Sequence, residues 1–446
     1  MLAYYFSLGL RKLRSNPALT ALMVLTLAVG VAASVSTLSI LQLMSADPMP
    51  SKSKLLFVPV IDNGLMKNYQ PGAKPDDVQM SYRDARNLLA QATSTNSGNS
   101  GIVRRVALYG LNGALEANRS DLPASHVGGI ATHHDYFAMF EAPFLYGSAW
   151  SAQDDANGAA VVVLSRKQSE VLYGKRNPVG KTVRYMDHDF LIVGVLNEWR
   201  LMTRFPHLIN GSGGHFNGEE NIYMPLQTSV QIQAGMEGSM TCTQETAPGY
   251  QGLLDSECTW VQFWFELASA ADAPQLQNYL NAYVSEQKKL GRLQRPDAVK
   301  IYDVMQWMEL LNVVKSDSKL TVWLAFGFLA LCLVNTMGLL LAKFSVRASE
   351  VGVRRALGAS RAEIFKQFLS EAAVVGLAGG VLGLPLSLVA MQFIATSSAD
   401  IGNAPGMNWF MFGTTFVLSV AASVLAGLLP TWRACQITPA LQLKSQ

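Results

Sequence analysis

The sequence predicts an α-helical integral membrane protein with four transmembrane helices, arranged one plus three, and a large α+β extracytoplasmic domain between helices 1 and 2. Three observations predict it. Charged residues make up only 15% of the 446 residues, against about 25% in a typical soluble chain. The deficit is concentrated in four uncharged stretches, each long enough for a bilayer, which takes about 20 apolar residues to cross. The basic short segments all fall on one side of the topology that these stretches define. The composition excludes a disordered or nucleic-acid-coating protein, so no nucleic-acid partner is expected, and it argues against a plain cytosolic enzyme.

The N-terminal amphipathic segment, residues 1–17, carries Arg11, Lys12 and Arg14. Residues 18–46 form the first span. This stretch is longer than a secretory signal's apolar region of about 7–15 residues, and no convincing small-x-small site closes it, so a retained anchor is expected. Ser15-Asn16-Pro17 opens it with a capping side chain and a first-turn proline. The second span, 317–343, has its uncharged core bracketed by Lys319 and Lys343. The third is 367–399, and the fourth is 408–430. The connecting loop 344–366 and its border hold Lys343, Arg347, Arg354, Arg355, Arg361 and Lys366. The loop 400–407 holds only Asp400, and the tail 431–446 holds Arg433 and Lys444. Both termini are therefore expected in the cytoplasm and residues 47–316 outside. The net charge of +3 resolves into a basic inner face, eleven Lys/Arg against three acids, and an acidic outer segment, 23 against 27.

The outer segment reads as mixed. Strands are expected at 55–61, 103–109, 159–164, 190–196, 222–225 and 261–267, and helices at 81–91, 166–173 and 274–291. A last helix from about Tyr302 is expected to run through Ser316 into the second span as a continuous stalk. Residues 207–221 and 235–256, rich in Gly, Ser and Asn, read as loops. Cys242 and Cys258 lie here, Cys332 in the membrane and Cys435 in the tail. An oxidising exterior favours a Cys242–Cys258 disulfide closing a flexible loop. The alternative is two thiols too far apart to bridge.

No catalytic motif emerges. Gly174 to Thr182 is a near-miss phosphate loop, with five residues rather than four between its glycines and Pro178 where a cradling N–H is wanted. A turn leading into a strand is expected instead, and no other stretch offers a P-loop. His133-His134 beside Asp135, and Asp187-His188-Asp189, carry metal-ligating atoms. Adjacent histidines point apart in a helix or a strand, so surface or packing roles are expected and no metal site is assigned.

The most informative segment runs from Ser345 to Glu363. A short amphipathic helix at the membrane surface ends at Leu357, and Gly358 suits the left-handed position that follows a helix. Ser360 and Glu363 form a Ser-x-x-Glu capping box, starting a helix through Ile364, Phe365, Phe368 and Leu369. Arg347, Arg354 and Arg355 can meet lipid phosphates or an acidic partner, or simply anchor the loop inside. The span cores hold no ionisable residue, which argues against proton-coupled transport and for an external energy source. Gly376, Gly379, Gly380 and Gly383 make small-residue pairs suited to close helix packing, within one chain or between two. Pro385 suggests a kink.

Glu350-Val-Gly352-Val-Arg354-Arg355-Ala-Leu-Gly358-Ala359-Ser360, followed by Phe365-Lys-Gln-Phe-Leu-Ser-Glu371, resembles the cytoplasmic loop of the MacB/FtsX family of ABC transporter permeases. Asn16-Pro17 and the closing Pro430-Thr-Trp-Arg433 to Pro439-Ala440-Leu441 are similar to the family pattern. So are Val161–Ser165, Tyr173-Gly174, Asn177–Lys181 and Phe190–Val195, which resemble the MacB-type periplasmic core domain. The Gly-rich stretch 207–256 matches no family pattern.

The resemblance implies an inner-membrane permease subunit with a periplasmic domain and no ATPase site of its own. Glu350, Gly352, Arg354, Arg355, Gly358, Ala359 and Ser360 would form the coupling element that seats in a separate ATPase dimer, which would bind ATP and Mg2+; no cofactor is expected in this chain. A second permease chain, with the glycine pairs at its interface, is implied as well. The work implied is mechanotransmission for efflux or extraction of a peptide, antibiotic or lipid-linked substrate. A periplasmic adaptor and an outer-membrane channel would accompany efflux. The alternative is an FtsX-like signalling protein that controls a periplasmic partner. An anchored periplasmic enzyme would need a reactive site that the sequence does not offer.

Overall fold

The computed structural model describes residues 16–67, 69–94, 101–117, 123–199, 201, 203–209, 220–296, 298–314, 316–397 and 409–435. Arg11, Lys12, Arg14, Asp400, most of 207–221 and the closing motif beyond Cys435 lie outside these residues. The chain divides into two compact units, one of residues 47–313 and one joining the segments before and after it. The first helix, α1 (Pro17–Ser45), belongs to the second of these, the membrane unit.

The unit 47–313 is built on a mixed eleven-stranded sheet. Its elements follow as β1 (Leu56–Ile61), β2 (Met80–Ser81), α2 (Tyr82–Ser94), β3 (Ile102–Ala117), β4 (Ser125–Thr132), α3 (Tyr136–Met139), β5 (Phe144–Gly147) and α4 (Ala152–Asn157). Next come β6 (Val161–Leu164), α5 (Arg166–Tyr173), β7 (Thr182–Tyr185), β8 (His188–Leu196), β9 (Ile222–Pro225), α6 (Leu226–Gln231) and α7 (Gly249–Leu254). The unit closes with β10 (Thr259–Leu267), α8 (Ala273–Lys289), β11 (Val299–Asp303) and α9 (Val304–Leu310). The strand order is β11-β1-β10-β3-β4-β9-β6-β8-β5, with β2 on β10 and β7 against β3 and β8. Only the β4–β9 and β6–β8 pairs are parallel among the described residues.

Successive side chains of a strand point to opposite faces, and both faces of this sheet are covered. Phe57, Ala107, Tyr109, Val162 and Phe263 enter one core with α2 and α8, through Leu88, Leu276 and Leu280. Leu56, Val58, Val106, Leu108, Val163 and Trp264 enter the other with α3 and α9, through Phe137, Trp307 and Met308. Two covered faces explain why the central strands read as unbroken apolar runs.

Three readings of the sequence are corrected. The expected stalk is not one helix: Tyr302 lies in β11, α9 stops at Leu310, and Asn312 has φ 49°, a left-handed conformation that interrupts a helix. Strand β4 was not foreseen, because Gly128-Gly129 broke its apolar pattern; its parallel partner β9 supplies the missing order. The stretch 235–256 is not all loop, since α7 lies in it.

In the membrane unit, α1 is joined by α10 (Ser316–Ser345), α11 (Ala348–Ala356), α12 (Arg361–Ser397) and α13 (Trp409–Cys435). Four of these helices, α1, α10, α12 and α13, are long and apolar enough to cross a membrane. Met23, Val24 and Leu27 of α1 share one core with Leu340, Phe368, Val375 and Ala422. The glycine stripe does its packing inside the chain. A Cβ at Gly379 would stand 3.1 Å from the Cβ of Leu27, and one at Gly383 would stand 3.4 Å from the carbonyl of Ala28. Gly380 faces Ser419 of α13, and Gly376 is buried. Close backbone approach lets Ser34 donate to the Ala325 carbonyl at 3.1 Å.

Candidate functional site

The segment between α10 and α12 holds most of the residues singled out in the sequence. Helix α11 is stabilised by an (i, i+4) pair, with Arg354 Nη2 2.6 Å from Glu350 Oε1. Arg354 Nη1 also donates to Gln367 Oε1 of α12 at 2.9 Å. The helix ends where Leu357 N–H reaches the Val353 carbonyl at 3.0 Å. Gly358 then takes φ +100°, a region costly for any side chain. Ala359 N–H returns to the Arg354 carbonyl at 3.0 Å. The next helix begins with a reciprocal box: Glu363 N–H donates to Ser360 Oγ at 3.2 Å, and Ser360 N–H to Glu363 Oε2 at 3.1 Å.

Burial splits α11 into two faces. Val351 is 5% exposed and packs with Ile364 and Phe368, whereas Val353 is 55% and Leu357 83% exposed. Val353, Leu357, Gly358 and Ser360 therefore form the outward tip. Gly352, on the same helix, is half-buried, and Arg355 is half-buried with partners inside the chain. Arg347, expected on lipid or an acidic partner, instead grips Glu371 of α12 at 3.1 and 3.0 Å. This ion pair was missed although both residues were noted. These bonds tie α11 and the turn before it to α12, and leave Val353 and Leu357 exposed.

The outer unit holds two further clusters. His133 and His134 both turn toward Asp155, with ring centroids 4.2 Å apart. They were expected to point apart, but they lie in the turn between β4 and α3, in neither regular element. Burial lowers the His133 pKa, and the bond to Asp155 raises that of His134. His188 of the Asp187-His188-Asp189 turn lies exposed at the start of β8. The second cluster is buried: His207 Nδ1 lies 2.9 Å from Glu220 Oε1, which also pairs with Arg204. Burial, then the Arg204 charge, pushes the His207 pKa down to about 3. Tyr136, Trp199 and Tyr223 line the cavity beside it.

A disulfide joins Cys242 and Cys258. The near-miss phosphate loop is an Asx turn, in which Val179 N–H donates to Asn177 Oδ1 at 3.0 Å. Gly180 N–H is taken by the Ile192 carbonyl at 2.9 Å, so it is not free for phosphate.

Comparison with known families matches residues 20–283 to the MacB-like periplasmic core domain and residues 322–439 to the FtsX-like permease C-terminal domain. The chain belongs to the MacB/FtsX-type ABC permeases. This MacB/FtsX-type permease is 23% identical over 303 residues to the macrolide export ATP-binding/permease protein MacB of Bdellovibrio bacteriovorus, covering 66% of the chain and 40% of that protein. It is 24% identical over 335 residues to the pyoverdine export ATP-binding/permease protein PvdT of Pseudomonas syringae pv. syringae, covering 72% and 43%. The permease thus spans less than half the length of these relatives. Among solved structures, the periplasmic region of MacB from Actinobacillus actinomycetemcomitans aligns with TM-score 0.36 and 15% identity, covering 59% of the permease and 95% of that chain.

Proposed function

We propose that this chain is the membrane subunit of an ATP-driven machine, moved by an ATPase dimer on a separate chain that binds ATP and Mg2+. The observation that carries this reading is the α11–Gly358–α12 element. Its tip exposes Val353 and Leu357, while Glu350, Arg354 and Gln367, with Arg347 and Glu371, bind its body to α12. A tip that yielded on its own would absorb a push; a tip cross-linked to a membrane helix passes it on. Glu350, Gly352, Arg354, Arg355, Gly358, Ala359 and Ser360 form the docking surface in this reading.

The loop and both termini face the cytoplasm, the basic side. The outer unit then lies in the periplasm of an inner-membrane protein, and the work is done there by mechanotransmission, acting on a second permease chain in a pair. Relatives named for macrolide and pyoverdine export support efflux or extraction. An adaptor and an outer-membrane channel belong to this reading as further partners.

The test is copurification from native membranes in mild detergent, followed by ATPase assay with the permease present. The wild-type chain should recover an ATPase and stimulate it. Gly358→Pro together with Arg354→Glu should abolish stimulation while leaving the chain in the membrane. Undiminished stimulation would remove the docking role.

A further inference from the structure

We propose that His133, His134 and Asp155 form a binding site for one first-row divalent cation of the zinc type in the outer unit. Asp155 is the fixed member. It is 7% exposed, and its Oδ1 accepts Trp150 Nε1–H at 2.8 Å. Its Oδ2 accepts the His134 backbone N–H and lies 2.7 Å from His134 Nδ1. The capping box of Ser151 and Asp154 holds the helix that carries it.

The two imidazoles approach that oxygen from adjacent positions. His133 Nε2 is 3.5 Å from Asp155 Oδ2. One ligand atom from each of the three residues falls within 4.8 Å of the others. Tetrahedral zinc, with bonds of about 2.0–2.1 Å, sets its ligand atoms roughly 3.4 Å apart, so small side-chain rotations suffice. The remaining nitrogens face a second carboxylate: Asp135 lies 3.7 Å from His133 Nδ1 and 3.5 Å from His134 Nε2. Metal-bound imidazoles characteristically give their other N–H to a carboxylate, which orients the ring and raises its basicity. Arg104 Nε lies 3.9 Å from Asp135 Oδ1, on this outer carboxylate.

His133 Nδ1 is buried without a hydrogen-bond partner. The second carboxylate is beyond hydrogen-bond reach until His133 shifts, and ligation through Nε2 supplies a reason for it to shift. Both histidines remain about a quarter exposed, which leaves an entry path and a coordination position for water. Two imidazoles and one carboxylate select zinc, cobalt, nickel or copper over magnesium and calcium. The ion would clamp the β4–α3 turn to α4.

The experiment uses the full chain in detergent, stripped with chelator and titrated with Zn2+ alone, then with Co2+ read by visible absorption. One ion per chain is expected, with tetrahedral cobalt bands and a melting temperature that rises on metal addition and falls back with chelator. His133→Ala, which removes no hydrogen bond through the buried Nδ1, should weaken binding at least about 100-fold, as should His134→Ala. His188→Ala should leave binding unchanged. Wild-type binding no tighter than that of His133→Ala, or binding lost in His188→Ala instead, would overturn the proposal. So would a wild-type chain that takes up no Zn2+ while remaining folded by melting.

Discussion

Arg347 places one guanidinium nitrogen 3.1 and 3.0 Å from the two carboxylate oxygens of Glu371, which is 1% exposed. The pair ties the turn before α11 to α12 about three turns into that helix. Removing one partner of a buried pair costs about 3–5 kcal/mol because the other charge is stranded. Glu371→Leu should therefore lower the melting temperature of the detergent-solubilised chain, and Arg347→Met with Glu371→Leu should recover most of the loss. A double variant no better than the single would show that the pair does not couple the two segments.

Gly358 occupies φ +100°. Such a conformation costs a non-glycine residue about 1–3 kcal/mol. Gly358→Val should shift the turn and lower ATPase stimulation several-fold, with the outer unit's protease resistance unchanged. Equal stimulation by wild type and variant would show that the turn geometry is not transmitted.

Val353 and Leu357 are exposed one helical turn apart. Charging them should leave the melting temperature unaltered and remove the ATPase from pull-downs. Val353→Asp with Leu357→Asp is the variant, and quantitative recovery of the ATPase is the contrary result.

His207 is buried, and its pKa is pushed down to about 3 from an ordinary 6.5. The unfolded chain thus binds the proton first as pH falls. The stability held by neutral His207 is complete above about pH 6.5, declines as pH drops through the interval, and is gone below about pH 3. Denaturant titrations of wild type and His207→Phe at pH 7 and pH 4.5 should give the larger pH effect in the wild type.

The Cys242–Cys258 bridge closes a segment of sequence separation 16. A loop of that size is worth about 3 kcal/mol in the chain-entropy account. Reduction should lower the denaturation midpoint of the outer unit, while Cys242→Ser with Cys258→Ser should lose all sensitivity to reductant.

Much of the α11–Gly358–α12 segment was readable because its punctuation is local. A glycine after a helix and Ser-x-x-Glu before the next determine backbone geometry within a few residues, and Gly358, Ser360 and Glu363 occupy those roles. Helical periodicity likewise marked α2 and α8. The stalk failed for the same reason reversed: an apolar run from Tyr302 is compatible with strand or helix, and pairing of β11 with β1 decided the matter.

Hydropathy and charge order are properties of the chain taken in sequence, so four spans, the outer segment between the first two, and the basic loop were all legible before folding. The sequence also carried enough local pattern for the family to be recognised. Only the tertiary structure decided which side chains meet. Arg347 finds Glu371 across 24 residues, and His134 finds Asp155 across 21. Gly379 and Gly383 spend their small size on α1 of the same chain. Each of these depends on where a helix or strand returns to pack, and that is set by burial of both sheet faces and by close approach of the helices, not by any neighbour in sequence.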